Sequence, residues 1–210
     1  KGKRIIVTAG PTRESIDPVR YITNHSSGKM GYAIAEKAAS RGAEVLLISG
    51  PTELSCPSRV QRVDVTTTIE MHKEVMKNFK WANIIIKSAA VADFRPVSEA
   101  QHKIKKTDAD LAIPLKRNPD ILKELGDRKE EGMILIGFAA ETQDLVANAK
   151  KKIKSKNLDF IIANDLTKAG AGFKSDTNIV TIIDKNGSVE YLPKMSKIDL
   201  AEIILNKAKK

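Results

Sequence analysis

Residues 4–49 read RIIVTAGPTRESIDPVRYITNHSSGKMGYAIAEKAASRGAEVLLIS, and this stretch indicates the class of fold. Continuous apolar runs lie near its ends, at 5–7 and 45–48, and apolar residues recur at helical spacing between 30 and 38. Uninterrupted runs of this kind are typical of strands buried on both faces of a parallel sheet. The stretch therefore predicts a strand, a long loop, a helix that ends near Gly42, and a second strand.

Further apolar runs follow at 84–86, 134–136 and 160–162, with helical-period segments between them. Near the end of the sequence the pattern changes to short strands on either side of Asn186-Gly187, a dipeptide that favours a tight hairpin turn. We therefore predict an α/β fold, with a doubly wound, mostly parallel, Rossmann-like sheet and a C-terminal antiparallel hairpin appendage. Residues 1–210 contain no linker or repeat, so we expect a single domain.

Capping signals predict where helices begin, at Thr67, Asn118, Thr142 and Ser196. The first has a glutamate three residues later, which is the pattern of a capping box. The second precedes a proline, which is suited to the first position of a helix. These signals place a helix after most of the predicted strands, as a doubly wound sheet requires.

The chain carries 36 Lys and Arg against 26 Asp and Glu, a formal net charge of +10, which favours an anionic partner. Nucleic acid, a membrane surface and a phosphorylated small molecule are the alternatives. Aromatic residues make up only 4% of the sequence, which argues against base stacking on a nucleic acid. Lysine runs at 103–106 and 150–154 hold much of the excess charge, and a solvated face is their ordinary interpretation.

The single cysteine, Cys56, excludes an internal disulfide and a zinc site with several thiolates, and it fits a reducing cytoplasm. No apolar run approaches the roughly 18 residues that a membrane span needs. The sequence does not begin with Met, as expected of a piece of a longer protein. Its three histidines show no metal-ligand spacing, and we interpret His25 as a loop residue.

The loop after the first strand lacks both common phosphate-binding motifs. A dinucleotide fingerprint would need three glycines where only Gly10 stands, and the segment 24–31 lacks the first glycine and the hydroxyl residue of a P-loop. Ser26, Ser27 and Gly28 nevertheless lie just before a predicted helix, where backbone N–H groups attract anions. The alternative is that one of these serines only caps the helix.

Small and polar residues follow three predicted strands, at 87–96, 137–142 and 163–165. Ligands of open α/β sheets bind beyond the carboxyl ends of the strands, so these segments are candidates for a site. Asp93 could hold a metal or a sugar hydroxyl, or it could cap its own loop. Phe138 could border a ligand or belong to the core.

Five segments together resemble the bacterial phosphopantothenoylcysteine synthetases, the synthetase half of the fused coenzyme A biosynthesis flavoproteins. They read NHSSGKMG at 24–31, AAVAD at 89–93, KIKK at 103–106, NPDIL at 118–122 and GFAAET at 137–142. The resemblance covers nearly the whole chain, in order and with compatible spacing.

The resemblance implies a ligase that joins 4′-phosphopantothenate to cysteine. In this family CTP activates the carboxylate as an acyl-cytidylate, pyrophosphate is released, and the amine of cysteine then displaces CMP. The family further implies Mg²⁺, a homodimer, and fusion to or association with a phosphopantothenoylcysteine decarboxylase. Because FMN belongs to the decarboxylase half, we expect no FMN on this chain.

The resemblance also implies roles for individual residues. Asn24 and Lys103 would be catalytic, with Asn24 contacting the acyl-cytidylate through its amide and Lys103 reaching the nucleotide from a mobile flap. Arg20, Asn24, Ala89, Ala90 and Asp93 would bind the substrate, with Arg20 reaching the phosphate across the dimer interface and Asp93 also the candidate for a metal. The nucleotide would contact Gly10, Ser26, Gly28, Gly31, Lys87, Ser88, Ala89, Asp93, Lys103, Pro119, Asp120, Ile121, Leu122, Phe138, Lys152 and Lys156.

Two other functions stay open at the level of sequence. A Rossmann-like oxidoreductase that uses NADPH would fit the fold, although the glycine fingerprint is missing. A basic nucleic-acid-binding domain would use the lysine-rich faces, and its affinity would fall steeply with salt.

Overall fold

The computed structural model describes residues 2–106, 110–141, 144–165, 172 and 175–209. In chain order, the strands are β1 (Arg4–Ala9), β2 (Arg13–Ser15), β3 (Tyr21–Thr23), β4 (Glu44–Ser49), β5 (Val60–Asp64), β6 (Ile84–Lys87), β7 (Phe94–Pro96), β8 (Leu115–Arg117), β9 (Ile134–Glu141), β10 (Phe160–Asp165), β11 (Thr177–Asn178), β12 (Val180–Asp184), β13 (Val189–Tyr191) and β14 (Met195–Ser196). The helices are α1 (Lys29–Ser40), α2 (Thr68–Asn78), α3 (Ile121–Asp127), α4 (Leu145–Ser155) and α5 (Lys197–Lys207), with a 3₁₀ turn at Phe79–Trp81.

Eight strands form the central sheet, in the order β13-β12-β10-β9-β6-β1-β4-β5. The pairs from β10 through to β5 are all parallel, whereas β12 runs antiparallel to both of its neighbours. The doubly wound, mostly parallel sheet is therefore confirmed. The C-terminal hairpin is also confirmed, but it continues the main sheet through β10 and is not a separate appendage.

Two apolar layers cover the faces of the sheet. Alternate residues of β1 enter different layers, with Ile5 and Val7 packing towards α1 and α5, and Ile6 packing towards α2, α3 and α4. Because both faces are buried, the strands read as continuous apolar runs. None of the helices in the described ranges has the length and apolarity that crossing a bilayer requires.

Several of the predicted helix signals are confirmed. The Thr67 hydroxyl accepts a hydrogen bond from the backbone N–H of Glu70, whose carboxylate accepts one from the N–H of Thr67 in return. The Ser196 hydroxyl caps α5 by accepting from the N–H of Asp199 at 3.0 Å. Gly42 follows α1 with φ of 79°, the left-handed conformation expected after a helix.

The predicted cap at Asn118 is wrong. Helix α3 begins later, and the Asp120 carboxylate caps it by accepting from the N–H of Lys123 at 3.0 Å. The amide of Asn118 instead donates to the carbonyl of Ala92 at 2.8 Å, which ties the loop after β6 to the segment that precedes α3. A tertiary hydrogen bond thus uses the side chain that the local sequence pattern predicted to be a helix cap. The expected cap at Thr142 lies outside the described residues.

The sequence pattern missed several short strands. Strand β5 lies at the edge of the main sheet and is mostly half-exposed, so it lacks a continuous apolar run. The hairpin β2–β3 lies within the long loop after β1, and β7–β8 lies beyond the carboxyl end of β6. Strand β2 packs against β7, so these two small sheets form one layer beside the ends of the central strands.

Candidate functional site

Two adjoining cavities lie at the carboxyl ends of the central strands. The larger, here called the cleft, has a volume of about 730 Å³, and its polar lining includes Asn24, Lys87, Asp93, Asp120, Lys152 and Lys156. The smaller, here called the side cavity, has a volume of about 140 Å³ and lies beside the start of α1. Ala89, Ala90, Phe138, Ala139 and Ala140 line both. The cleft is within the size range of ligand sites, about 300–1,000 Å³.

The position of the cavities follows from the topology of the sheet. From β1 the chain continues through α1 to β4 on one side, and it returns later to place β6 on the other side of β1. At such a reversal the loops that follow the two strands diverge and leave a crevice, which is where open α/β sheets bind ligands. The strand ends are therefore brought together as predicted, with Phe138 partly buried between the two cavities.

Asn24 fastens one wall of the cleft. Its amide nitrogen donates to the carbonyls of Ala90, at 3.0 Å, and Val91, at 2.9 Å, and the side chain is otherwise exposed. The sequence interpretation gave these N–H groups to a bound intermediate, whereas here they hold the loop after β6. Contact between Asn24 and a ligand therefore requires its carbonyl oxygen or the release of one of these bonds.

Lys87 lies at the end of β6 and is buried, with its ammonium group donating to the carbonyl of Ala89 at 3.2 Å. Burial, together with the nearby charge of Lys156, lowers the pKa of Lys87 to about 8, and Asp120 and Asp93 only partly oppose this. The resemblance assigned the backbone of this segment to the nucleotide. The structure adds a desolvated cation on a wall of the cleft, where an anionic ligand would stabilise its charge.

Lys152 and Lys156 lie one helical turn apart at the end of α4, and both line the cleft. The ammonium group of Lys156 is 2.9 Å from a carboxylate oxygen of Asp120. Burial opposes the ionisation of Asp120, but hydrogen bonds from Lys156 and from the N–H of Lys123, together with the charges of Lys156 and Lys87, outweigh it, so the pKa of Asp120 is lowered. The structure thus brings these lysines to the same cleft as Asn24.

The glycines near the start of α1 serve packing. Gly10 lines neither cavity in the described structure. Its φ is +75°, and a Cβ on it would lie 2.9 Å from the carbonyl oxygen of Gly50, so the position requires a glycine. A Cβ on Gly31 would lie 2.5 Å from the Cβ of Ala9. Gly28 and Gly31 do reach the side cavity with Ser26. The close approach of α1 to β1 requires the glycine at 31, whereas Gly28 is required by its φ of +80° and by Thr52, whose Cγ2 would lie 2.7 Å from a Cβ.

Arg20 and Lys103 lie outside both cavities in this chain. The carboxylate of Asp17, which is buried, accepts hydrogen bonds from the Arg20 guanidinium at 2.6 Å and from the N–H of Ile104 at 3.1 Å. The Arg20 guanidinium holds the pKa of Asp17 well below its usual range. Asp17 thus fixes both Arg20 and the backbone next to the exposed Lys103.

The acidic groups of the cleft decide whether a metal ion fits there. No cluster of three His, Cys, Asp or Glu side chains that could hold a metal occurs within the described residues. Asp93 is exposed in the cleft, whereas Asp120 is engaged by Lys156. Mg²⁺ commonly binds through one or two carboxylates together with substrate phosphates, and Asp93 fits that mode.

The family model for the C-terminal domain of the DNA/pantothenate metabolism flavoproteins matches residues 1–210. The chain belongs to this family. It is 52% identical over 206 residues to the coenzyme A biosynthesis bifunctional protein CoaBC of Bacillus subtilis, covering 98% of this chain and 50% of that protein. The chain thus spans about half the length of the curated relatives it matches.

Solved structures of members of the flavoprotein C-terminal domain family have the same fold. The crystal structure of the C-terminal domain of a CoaBC protein superposes with a TM-score of 0.84, at 46% identity, over 99% of this chain and 94% of that chain. The DNA/pantothenate metabolism flavoprotein from Streptococcus pneumoniae also gives 0.84, at 31% identity, over 99% of each chain. The resemblance found in the sequence is therefore confirmed at the level of the family.

Sequence reasoning missed two residues of the site region, Lys197 and Asp17, and it assigned only the backbone around Lys87 to a ligand. Lys87 and Lys197 carry buried side chains at an element's end or start, and Asp17 joins segments far apart in the chain. A lysine at the end of an apolar strand run, such as Lys87, is a signal that could have been noticed, because lysine is almost never fully buried without a partner. The role of Asp17 had no comparable signal, since Ile104 lies 87 residues away in sequence.

Proposed function

We propose that this chain joins 4′-phosphopantothenate to L-cysteine at the expense of CTP, a step of coenzyme A biosynthesis. The observation that carries this proposal is the composition of the cleft. Five separate segments, at 24, 87–93, 119–122, 138 and 152–156, meet there, and they hold most of the residues that the family resemblance assigns to substrate and nucleotide. Relatives that are similar over 98% of this chain are named as coenzyme A biosynthesis proteins.

In the first half-reaction, a carboxylate oxygen of phosphopantothenate attacks the α-phosphorus of CTP. The new P–O bond replaces the bond to the β-phosphate, and pyrophosphate leaves with its electron pair. This activation is needed because an unmodified carboxylate has no adequate leaving group for amide formation. In the second half-reaction, the amine of cysteine attacks the acyl carbon, the bond to CMP breaks, and the nitrogen loses a proton.

The residues of the cleft serve this chemistry through charge and position. Positive charge for the phosphates comes from Lys87, Lys152 and Lys156. Asp93 and the phosphate oxygens would together bind Mg²⁺, and the ion would neutralise phosphate charge. Asn24 holds the loop that carries Ala90 in place. Catalysis of this kind depends mainly on positioning the reactants and stabilising charge.

The activity is tested with the purified chain, CTP, Mg²⁺, phosphopantothenate and cysteine. We expect pyrophosphate, CMP and the amide product in equal amounts, and no pyrophosphate when phosphopantothenate is omitted. Failure to release pyrophosphate with every substrate present would contradict the proposal. Reduction or oxidation of a nicotinamide cofactor, or tight duplex binding without CTP binding, would instead favour one of the alternatives from sequence.

The proposal includes a homodimer in which Arg20 of each subunit reaches the phosphate in the other cleft. The layer formed by β2–β3 and β7–β8 exposes large apolar side chains, at Val19, Tyr21, Phe94, Val97 and Leu115. Large apolar side chains exposed together on one layer are typical of an interaction site. Arg20 is exposed on the same layer, which supports the assignment of this surface to a second copy.

We further propose a cytoplasmic protein that works with a phosphopantothenoylcysteine decarboxylase, fused or associated, which would hold the FMN. The curated relatives are named as bifunctional and are about twice as long as this chain. Absorbance of the purified chain titrated with FMN tests the last point, and saturable binding to this chain would contradict it.

Replacing Tyr21 and Phe94 together with glutamate is expected to convert the dimer to a monomer, because unpaired negative charges would be buried in an apolar interface. Light scattering after size exclusion measures the mass. We expect the dissociation constant of the dimer to rise by about tenfold or more. Activity should fall as the dimer dissociates, because each cleft would lose the partner's Arg20. Glutamate in place of Ile198, an exposed residue on α5, is the control and should leave the mass unchanged. A monomeric parent chain with full activity would contradict this part of the proposal.

Replacing Asp17 with asparagine is expected to raise the KM for phosphopantothenate about tenfold, because a neutral amide cannot hold the Arg20 guanidinium and the N–H of Ile104 together. The KM for cysteine should change little. Asp127→Asn removes an exposed ion pair with Lys123 and serves as the control. An unchanged KM for phosphopantothenate in a folded Asp17 variant would show that Arg20 does not need this support.

A further inference from the structure

The side cavity is separate from the cleft, but the two share one wall. Ala89, Ala90 and Phe138 line both, so a molecule in the side cavity would lie next to one in the cleft. Its volume of about 140 Å³ is too small for a nucleotide. Cavities of about 150 Å³ accept a molecule the size of benzene, and cysteine, with about seven non-hydrogen atoms, is of similar size.

The charged side chains that line the side cavity are both lysines. Lys197 is buried at the first position of α5, where it donates to the backbone carbonyls of Ser175 and Thr177. Lys29 lies beside it, 2.6 Å from the exposed carboxylate of Asp176. No carboxylate is among the lining residues in the described part of the chain, so the charge facing this space is positive.

The placement of Lys197 is unfavourable for the protein alone. Burial and the charge of Lys29 lower its pKa to about 8, and a cation at a helix N-terminus opposes the helix dipole. The start of α1 also lines the cavity, and its first N–H groups, which have no partner within the helix, add further positive potential. A bound carboxylate would relieve all of these costs together.

The remaining lining suits a small polar ligand. Asn164 and Asn178 are buried polar side chains on the wall of the cavity. The amide nitrogen of Asn178 donates to the sulfur of Met30, which also lines the cavity, at 3.5 Å. These groups can accept from an amine and contact a thiol. They distinguish the side cavity from the cleft, whose lining carries charged side chains of both signs.

We propose that the side cavity binds the amino-acid substrate, with Lys197 determining specificity by binding the carboxylate of L-cysteine. This inference rests on the proposed function and deepens it, since the amine would then face the shared wall and the acyl group in the cleft. The competing occupant is a phosphate of the nucleotide, as the resemblance implied for Ser26, Gly28 and Gly31. The lysines that the resemblance gives to the nucleotide, Lys152 and Lys156, lie in the cleft and not here.

The test compares cysteine with cysteamine, which has the same amine and thiol but no carboxylate. In the parent chain, kcat/KM should be higher for cysteine than for cysteamine. In Lys197→Met, which keeps the apolar stem and removes the charge, we expect this preference to fall by about 10- to 100-fold, the effect of losing a hydrogen bond to a charged group. Lys197→Arg should retain most of the preference. Lys207→Met, which breaks an exposed ion pair at the far end of the same helix, should keep all of it.

The first half-reaction separates the possible outcomes. Pyrophosphate release from CTP and phosphopantothenate without cysteine should be the same in Lys197→Met and the parent chain. If the folded Lys197→Met variant keeps the parent's preference for cysteine over cysteamine, the inference is overturned. If that variant also releases pyrophosphate more slowly, the side cavity binds a phosphate of the nucleotide instead. If Lys197→Met does not fold, Lys29→Met should show a smaller fall in the same preference, and none would overturn the inference. Absence of pyrophosphate release in the parent chain would instead contradict the proposed function.

Discussion

Replacing Asn24 with aspartate is expected to lower kcat/KM by about 100-fold or more while the chain still folds. The present amide donates to two backbone carbonyls of the loop after β6, and a carboxylate would place negative charge against those same oxygens. It would also repel the phosphates of a nucleotide in the cleft. Steady-state kinetics with each substrate varied measures the effect.

Asn24→Ala separates the two contributions. It removes both hydrogen bonds without adding charge, so we expect a loss of about tenfold, between the parent chain and the aspartate variant. The control is Asn186→Asp, the same chemical change in the exposed turn between β12 and β13, which should leave kinetics unchanged. Near-normal activity in Asn24→Asp would remove this side chain from the account.

Replacing Lys87 with methionine is expected to weaken CTP binding at least tenfold and to stabilise the chain without ligand. At pH 7 the parent protein carries a buried ammonium group whose pKa is lowered to about 8. Removing it relieves a desolvation cost, and losing the hydrogen bond to Ala89 returns part of that gain, so the net stabilisation is about 1–2 kcal/mol. Thermal unfolding and isothermal titration measure the two effects. Lys80→Met, on the short turn at the opposite end of β6, is the control.

The same group gives the binding of CTP a dependence on pH. The pKa of Lys87 in the free chain is about 8, and a bound anion raises it, so binding takes up a proton above that pH. Affinity should therefore be constant below about pH 8 and fall as the pH rises through and above that value. In Lys87→Met this fall should be reduced. A parent affinity that increases above pH 8 would contradict the assignment of Lys87 to the phosphates.

The central sheet could be predicted because its physical signal is local. Strands buried on both faces need apolar residues at every position, so β1, β4, β6, β9 and β10 stand out as runs. Caps such as Thr67 involve neighbours three residues away and could be identified for the same reason. The family resemblance added the identity of the cleft residues, which spacing alone does not contain.

The remaining features depend on contacts between distant residues. Asn118 has the form of a cap, but Ala92, 26 residues away, takes its amide. The Asn24 amide donates to Ala90 and Val91 only because the loop after β6 folds back towards it, and local sequence does not indicate this. The resemblance gave Gly31 to the nucleotide, and the structure adds a packing reason for this glycine, because it allows the helix to contact Ala9. The local sequence pattern predicts which residue types occur at a site, and the tertiary structure determines which of their atoms can contact a ligand.

Transfer of oxygen-18 from the carboxylate of labelled phosphopantothenate tests the central claim most directly. If the cleft forms an acyl-cytidylate, one labelled oxygen should be found in the phosphate of CMP after cysteine is added, and the pyrophosphate should be unlabelled. Label in inorganic phosphate released together with CDP, or no label in any phosphate, would contradict the account.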